Sequence, residues 1–220
     1  MLYGQHTIRF HHDHPRLVDM LKEYHATGYE HDLSLVGEQA LECLTGLPAV
    51  EQAKAALVLD IDETSLANEF DGLVSPETGY DAEAWAKWIE KAEAPPIRPA
   101  LELFKAARDR DVEVFFITGR SREQLASTEE NLRHAGYGYK GGWNAVFTEP
   151  RHEAAASGGT AAGSEMLVFP EAAAYKTAAR WSLMQRGYRI VVNMGDQLSD
   201  IEGGYAENTF RLPNPFYTVI

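Results

Sequence analysis

AALVLDIDET, residues 55–64, is an apolar run of five that ends in two aspartates one residue apart, Asp60 and Asp62. A near-continuous apolar run suits a strand buried on both faces, as in a parallel sheet. Side chains alternate along a strand, so Asp60 and Asp62 are expected on the same side at its carboxyl end. Two carboxylates held together there are costly unless a cation neutralises them or one stays protonated. Capping of the next helix would explain one Asp but not both.

Three further apolar runs read as strands: VEVFFIT (112–118), MLVF (166–169) and RIVVNMGD (189–196). Amphipathic segments lie between them. PALELFKAARD (99–109) opens with Pro at a first helical turn. SREQLASTEENLRHAG (121–136) opens with Ser121 and Gln124 at capping-box spacing and closes at Gly136; EAAAYKTAARWSLMQRG (171–187) closes at Gly187. Upstream, Pro15 to Gly46 carries a helical pattern with stops at Gly28 and Gly46. Strands alternating with helices imply right-handed crossovers and an α/β fold, a doubly wound parallel sheet with the N-terminal helices packed outside it.

Residues 65–98 break the alternation. A βα loop takes about 2–6 residues, and this insertion carries its own helix, with Asp81 as N-cap and Trp85, Trp88 and Ile89 on one face. An insertion at the carboxyl end of the first strand overhangs the ligand crevice of an open α/β sheet, so 65–98 reads as a small cap within one domain spanning 1–220. Residues 1–14 read as a flexible arm. It holds four of the eight histidines, His6, His11, His12 and His14, at a spacing that matches no structural zinc pattern. The Ala/Gly/Ser-rich stretch 153–165 reads as a surface loop.

Lys plus Arg is 20 and Asp plus Glu is 33, a net charge of −13, with no Lys/Arg run. A nucleic-acid polymer is therefore not expected as partner, nor a polybasic membrane anchor. The 45 % hydrophobic and 24 % charged composition is that of a globular chain. At this length about 70 % of the unfolded surface is buried, so no disulfide or metal staple is needed. Cys43 is the one cysteine and sits in an apolar helical pattern, as a buried small hydrophobe. No apolar window is long enough to span a bilayer, and no signal peptide is visible.

The remaining strand ends also carry chemistry. Thr118-Gly119-Arg120 leads into a helix N-terminus and offers a hydroxyl, an open backbone and a cation, although a Thr-Gly turn with a surface Arg reads equally well. Gly195-Asp196 ends the last strand, with Asp200 four residues on. Oxygen ligation by a few carboxylates suits Mg²⁺ better than zinc. Lys176, early in the preceding helix, would alone be a solvated surface lysine.

The order of these parts is informative: carboxylate pair, Thr, Lys, carboxylate pair. LVLDIDETSLAN, FFITGR, YK and NMGDQLSDIEGG followed by LPNPFY resemble the haloacid dehalogenase-like (HAD) hydrolase superfamily. Within it they are similar to the acid phosphatase branch, with its plant vegetative and secreted bacterial enzymes. The resemblance spans about residues 55–217. It implies a Mg²⁺-dependent phosphatase acting on small phosphate monoesters, with Asp60 as nucleophile and Asp62 as general acid/base. It further implies Thr118, Gly119 and Lys176 as phosphate-binding residues. One Mg²⁺ would be held by Asp60, the main-chain carbonyl of Asp62, and Asp196, with Asp200 as ligand or support. Arg120 matches a position that touches substrate in some relatives, and Phe70 of the cap is the aromatic side chain best placed to meet a leaving group. Two other readings stay in view: a non-catalytic storage relative, and a phosphoacceptor signalling domain, which would need neither an adjacent DxD nor a cap. Relatives are often exported, which implies a periplasmic or secreted protein, with the cytoplasm as the alternative. A homo-oligomer is left open.

Overall fold

The computed structural model describes residues 8–10, 15–48, 54–68, 74–75, 79–149 and 172–219. The chain enters through a short strand, β1 (Ile8–Phe10), and two helices, α1 (Pro15–Thr27) and α2 (Tyr29–Thr45). Both helices stop where glycine interrupts the pattern, at Gly28 and Gly46. Strand β2 (Ala55–Leu59) follows, buried at every position. The insertion after it holds a two-stranded hairpin, β3 (Val74–Ser75) with β4 (Gly79–Tyr80), and helix α3 (Ala82–Lys91). Asp81 caps α3 as expected: its Oδ1 accepts from the N–H groups of Glu83 at 2.9 Å and Ala84 at 3.1 Å.

Helix α4 (Arg98–Asp109) has Pro99 in its first turn. Strand β5 (Glu113–Ser121) leads through a tight turn at Arg122–Gln124 into α5 (Leu125–Leu132). The Gln124 side chain accepts from the Ser121 N–H at 2.9 Å, the return half of the expected capping box. Strand β6 (Ala145–Glu149), helix α6 (Ala172–Gln185), strand β7 (Arg189–Gly195), helix α7 (Leu198–Ile201) and strands β8 (Thr209–Arg211) and β9 (Tyr217–Val219) complete the order.

The central sheet has five parallel strands in the order β6-β5-β2-β7-β8. The chain winds outward from β2 through β5 to β6, then returns to the other flank of β2 with β7 and β8. The switch point therefore lies beside the carboxyl end of β2, where open α/β sheets place their ligands. Strands β1 and β9 form a separate antiparallel pair. Among the described residues no helix is long and apolar enough to cross a membrane.

Alternation along the strands builds two cores. Leu57, Leu59, Val114 and Phe116 pack toward α2 and α4 with Leu33, Leu44, Leu103 and Phe104. Ala56, Val58, Phe115 and Ile117 pack toward α6 with Tyr175, Ala179 and Leu183. Asp60 continues the Ala56–Val58 side, which aims it at α6. Gly37 is where α2 and α4 touch, since a Cβ there would overlap the Pro99 ring.

Several expectations need correction. Strands β6 and β8 were not expected: β6 is only half-buried throughout and β8 is three residues long, so neither presents a continuous apolar run. The first strand stops at Leu59, before the aspartates, and β5 runs on through Thr118, Gly119 and Arg120 to Ser121. Cys43 is half-buried, packed against the core rather than inside it. The expected strand 166–169, the loop 153–165, the histidines of the N-terminal arm and Phe70 lie outside the described residues.

Candidate active site

Two adjoining clusters form at the carboxyl ends of β2, β5 and β7. In the first, one oxygen from each of Asp60, Asp196 and Asp200 lies within 4.8 Å of the others, and all three residues are buried. Asp60 follows β2, its N–H bonded to the Met194 carbonyl of β7 at 3.0 Å. Asp196 follows β7, and Asp200 sits on α7. Lys176 of α6 reaches across from below: its Nζ donates to Asp60 Oδ1 at 2.8 Å and to Asp200 Oδ1.

The surrounding groups hold these carboxylates firmly. Asp196 accepts from Thr64 Oγ1 at 3.1 Å, Gln197 Nε2 at 2.5 Å and Asn214 Nδ2 at 2.7 Å. Asp200 Oδ2 accepts from the Gln197 N–H at 2.8 Å. Its main-chain carbonyl accepts from Asn193 Nδ2 at 2.9 Å and Arg180 at 2.5 Å.

Three buried carboxylates against one ammonium leave two negative charges uncompensated. Burial, followed by the charge of Asp200, pushes the Asp60 carboxyl well above its ordinary value, against the pull of Lys176. Burial and the charges of Asp200 and Glu63 push Asp196 up to about 7. Burial opposes the charge on Lys176, but Asp200 and Asp60 outweigh it and raise its pKa. An all-oxygen, buried donor set with a net deficit of two positive charges fits a divalent cation, and the Asp triad could bind one.

The second cluster belongs to Asp62. Asp62 lies past the end of β2, where the backbone turns, and its charge still acts on Asp60. The Ile61 carbonyl accepts from the N–H groups of Thr64, Ser65 and Leu66 at 3.3, 2.8 and 2.8 Å. That reversal carries the Asp62 carboxylate to Arg120, whose Nη2 donates to Oδ1 at 2.7 Å. Three of the four expected carboxylates therefore gather, and the fourth pairs with a guanidinium instead.

Arg120 is correspondingly committed. Its side chain is 1 % exposed, and its N–H donates to Thr118 Oγ1 at 3.1 Å. Thr118 is buried, and Gly119 between them is open, with nothing within 4 Å of where a Cβ would stand. Trp88 of α3 is buried, so it belongs to the packing of the insertion rather than to an open aromatic surface.

Glu63, Thr64, Asn68, Gln197, Asn214 and Tyr217 were not anticipated. Glu63 is buried, with Oε1 accepting from the Asn68 N–H at 2.9 Å and Asn68 Nδ2 at 2.8 Å, and Oε2 from the Tyr217 hydroxyl at 2.7 Å. The one available signal was their place in the quoted words: DIDETSLAN holds three of them, GDQLSD one, and LPNPFY two.

Known proteins resemble this chain over most of its length. The family model of the HAD superfamily, subfamily IIIB (acid phosphatase), matches residues 4–220. The stem 28 kDa glycoprotein of Glycine max is 31 % identical over 210 residues, covering 92 % of this chain and 74 % of that protein. Acid phosphatase 1 of Solanum lycopersicum is 30 % identical over 207 residues, with the same two shares. The class C acid phosphatase from Bacillus anthracis, with tungstate bound, superposes with a TM-score of 0.66 at 22 % identity, covering 94 % of this chain and 86 % of that one. At that identity the likeness speaks to the fold.

Proposed function

The chain belongs to subfamily IIIB of the HAD superfamily, the acid phosphatases, and we propose that it hydrolyses small phosphate monoesters through an aspartyl-phosphate on Asp60, with Mg²⁺ as cofactor. The observation that carries this reading is the pairing of Asp60 with Lys176 at 2.8 Å inside a triad of buried carboxylates.

In the first step an Asp60 oxygen attacks phosphorus in line as the bond to the leaving oxygen breaks. Asp62 gives its proton to that oxygen. In the second step water attacks the aspartyl-phosphate, Asp62 takes the water's proton, and Asp60 is freed as inorganic phosphate departs. Thr118 and the open Gly119 backbone are assigned to the transferring oxygens. Lys176 offsets the repulsion between the anionic ester and the carboxylates. A divalent cation held by Asp60, Asp196, Asp200 and the Asp62 carbonyl would supply further positive charge there. The insertion 65–98 is assigned as a cap: Trp88 Nε1 donates to Asn68 Oδ1 at 2.8 Å within it, and Asn68 Nδ2 ties it to Asp62 at 3.1 Å.

Hydrolysis of p-nitrophenyl phosphate tests this. We expect activity that chelator removes and Mg²⁺ restores, an acidic optimum, and a folded but inactive Asp60→Asn variant. Full activity in chelator overturns the cofactor, and turnover by Asp60→Asn overturns the nucleophile.

A further inference from the structure

The partners of Asp62 are distributed unequally between its two oxygens. Oδ1 accepts from Arg120 Nη2 at 2.7 Å, Arg120 Nε at 3.1 Å and Asn68 Nδ2 at 3.1 Å. Oδ2 accepts only a shared contact from Arg120 Nε at 3.1 Å among the described residues.

Both partners are themselves fixed. Arg120 Nη1 donates to Thr128 Oγ1 of α5 at 3.2 Å. Asn68 Oδ1 accepts from Trp88 Nε1 of α3 at 2.8 Å. An indole nitrogen only donates, so the amide oxygen of Asn68 must face Trp88 and its NH₂ must face the carboxylates. The Asp62 side chain is 15 % exposed, which leaves a path to the crevice.

We propose that Arg120 and Asn68 are positioning residues that clamp Asp62 through Oδ1 and leave Oδ2 as the oxygen that hands a proton to the leaving group. The proposal rests on Asp62 as the general acid. It reassigns Arg120 from a substrate contact to a holder of that acid, and it makes the cap's Trp88 an anchor for Asn68. The proton leaves Oδ2 as the bond from phosphorus to the leaving oxygen breaks and the bond to Asp60 forms. The carboxylate that remains stays paired with the guanidinium.

A leaving-group comparison tests it, with p-nitrophenyl phosphate, whose leaving group needs no acid, against glycerol 2-phosphate, whose alkoxide does. Misplacing a catalytic group by an ångström costs on the order of 100-fold. Arg120→Met should therefore lower kcat on glycerol 2-phosphate about 10- to 100-fold more than on p-nitrophenyl phosphate, with KM little changed. Asn68→Ala should show the same selectivity more weakly. Arg120→Lys, which keeps the charge but not the fork, should recover part of the loss. Added to Asp62→Asn, Arg120→Met should cost nothing further on glycerol 2-phosphate.

Equal losses on both substrates, an effect confined to KM, or additive losses in the double variant overturn the clamp. Should Arg120→Met fail to fold, Arg120→Lys and Asn68→Ala carry the same comparison. Asp62→Asn read alone separates the two levels. Equal loss there on both substrates removes the acid itself, whereas selective loss there with unselective Arg120 variants removes only the clamp.

Discussion

Gly195 and Asp200 meet with no room for a methyl group between them: a Cβ at Gly195 would overlap the Cβ, Cγ and Oδ2 of Asp200. The last residue of β7 thus lets the α7 carboxylate fold back over the strand end and join Asp60 and Asp196. Gly195→Ala should push Asp200 out of the triad. Overpacking of this kind costs about 1–3 kcal/mol. We expect a lower Tm and, more tellingly, a weakened rise in Tm on adding Mg²⁺. A variant that keeps the full Mg²⁺ response would show that Asp200 is not needed for the cation.

Lys176 holds two buried carboxylates at once. Breaking a buried ion pair by removing one partner costs about 3–5 kcal/mol. For a chain of this size each kcal/mol lowers Tm by about 2–4 °C. Lys176→Met should therefore unfold roughly 6–20 °C earlier in chelator, and added Mg²⁺ should restore part of the loss by replacing the missing charge. Activity should fall as well, because the same ammonium is proposed to offset the charge of the phosphate. An unchanged Tm in chelator would contradict the reading of Lys176 as a buried counter-charge.

Stability should depend on pH in a direction set by two carboxyls. Glu63 is pushed up to about 8, first by burial and then by the charge of Asp62, although Tyr217 and Asn68 pull it back. Asp196 is raised to about 7 by burial, Asp200 and Glu63. A raised native pKa means that the folded chain binds more protons than the unfolded one between the ordinary and the raised value. Stability therefore falls as pH climbs through that window. In chelator, Tm should be higher near about pH 5 than near about pH 8. Saturating Mg²⁺ should flatten or reverse the trend, since a cation favours the ionised carboxylates. A chelated protein whose Tm rises across the same range would rule this out.

Gly37 offers a contrast remote from the chemistry. Its missing side chain lets α2 and α4 close on Pro99. Gly37→Leu should lower Tm, while kcat measured below the transition stays at the parent value. A change in kcat at full folding would mean that the N-terminal helices act on the site as well as on the fold.

The sheet was legible where it is buried on both faces. The run Ala55–Leu59 is apolar throughout and Ile190–Met194 is so but for Asn193, and they announce β2 and β7. Edge strands are not: β6 alternates too little, and β8 is too short to be seen in composition. Asp60, Asp196 and Asp200 were readable because each stands at or just beyond a strand end, and Lys176 only through the resemblance; the structure brings the four together. The pairing of Asp62 with Arg120 was not readable from alternation, because Asp62 lies beyond the strand, where the chain turns over the Ile61 carbonyl. Asn68, Asn214 and Tyr217 carry no local pattern. The partners of Asn214 and Tyr217 lie farther off along the chain, as with Tyr217 on Glu63, 154 residues apart.

Asn214 and Tyr217 fasten Asp196 and Glu63 from beyond β8, so the carboxylate cluster is fastened from the far end of the fold. During translation those two residues emerge after every strand of the central sheet. A nascent chain halted before Asn214 can stack its strands, yet it leaves each of two sunken acids one donor short. Completion of the site therefore waits on the segment that follows β8.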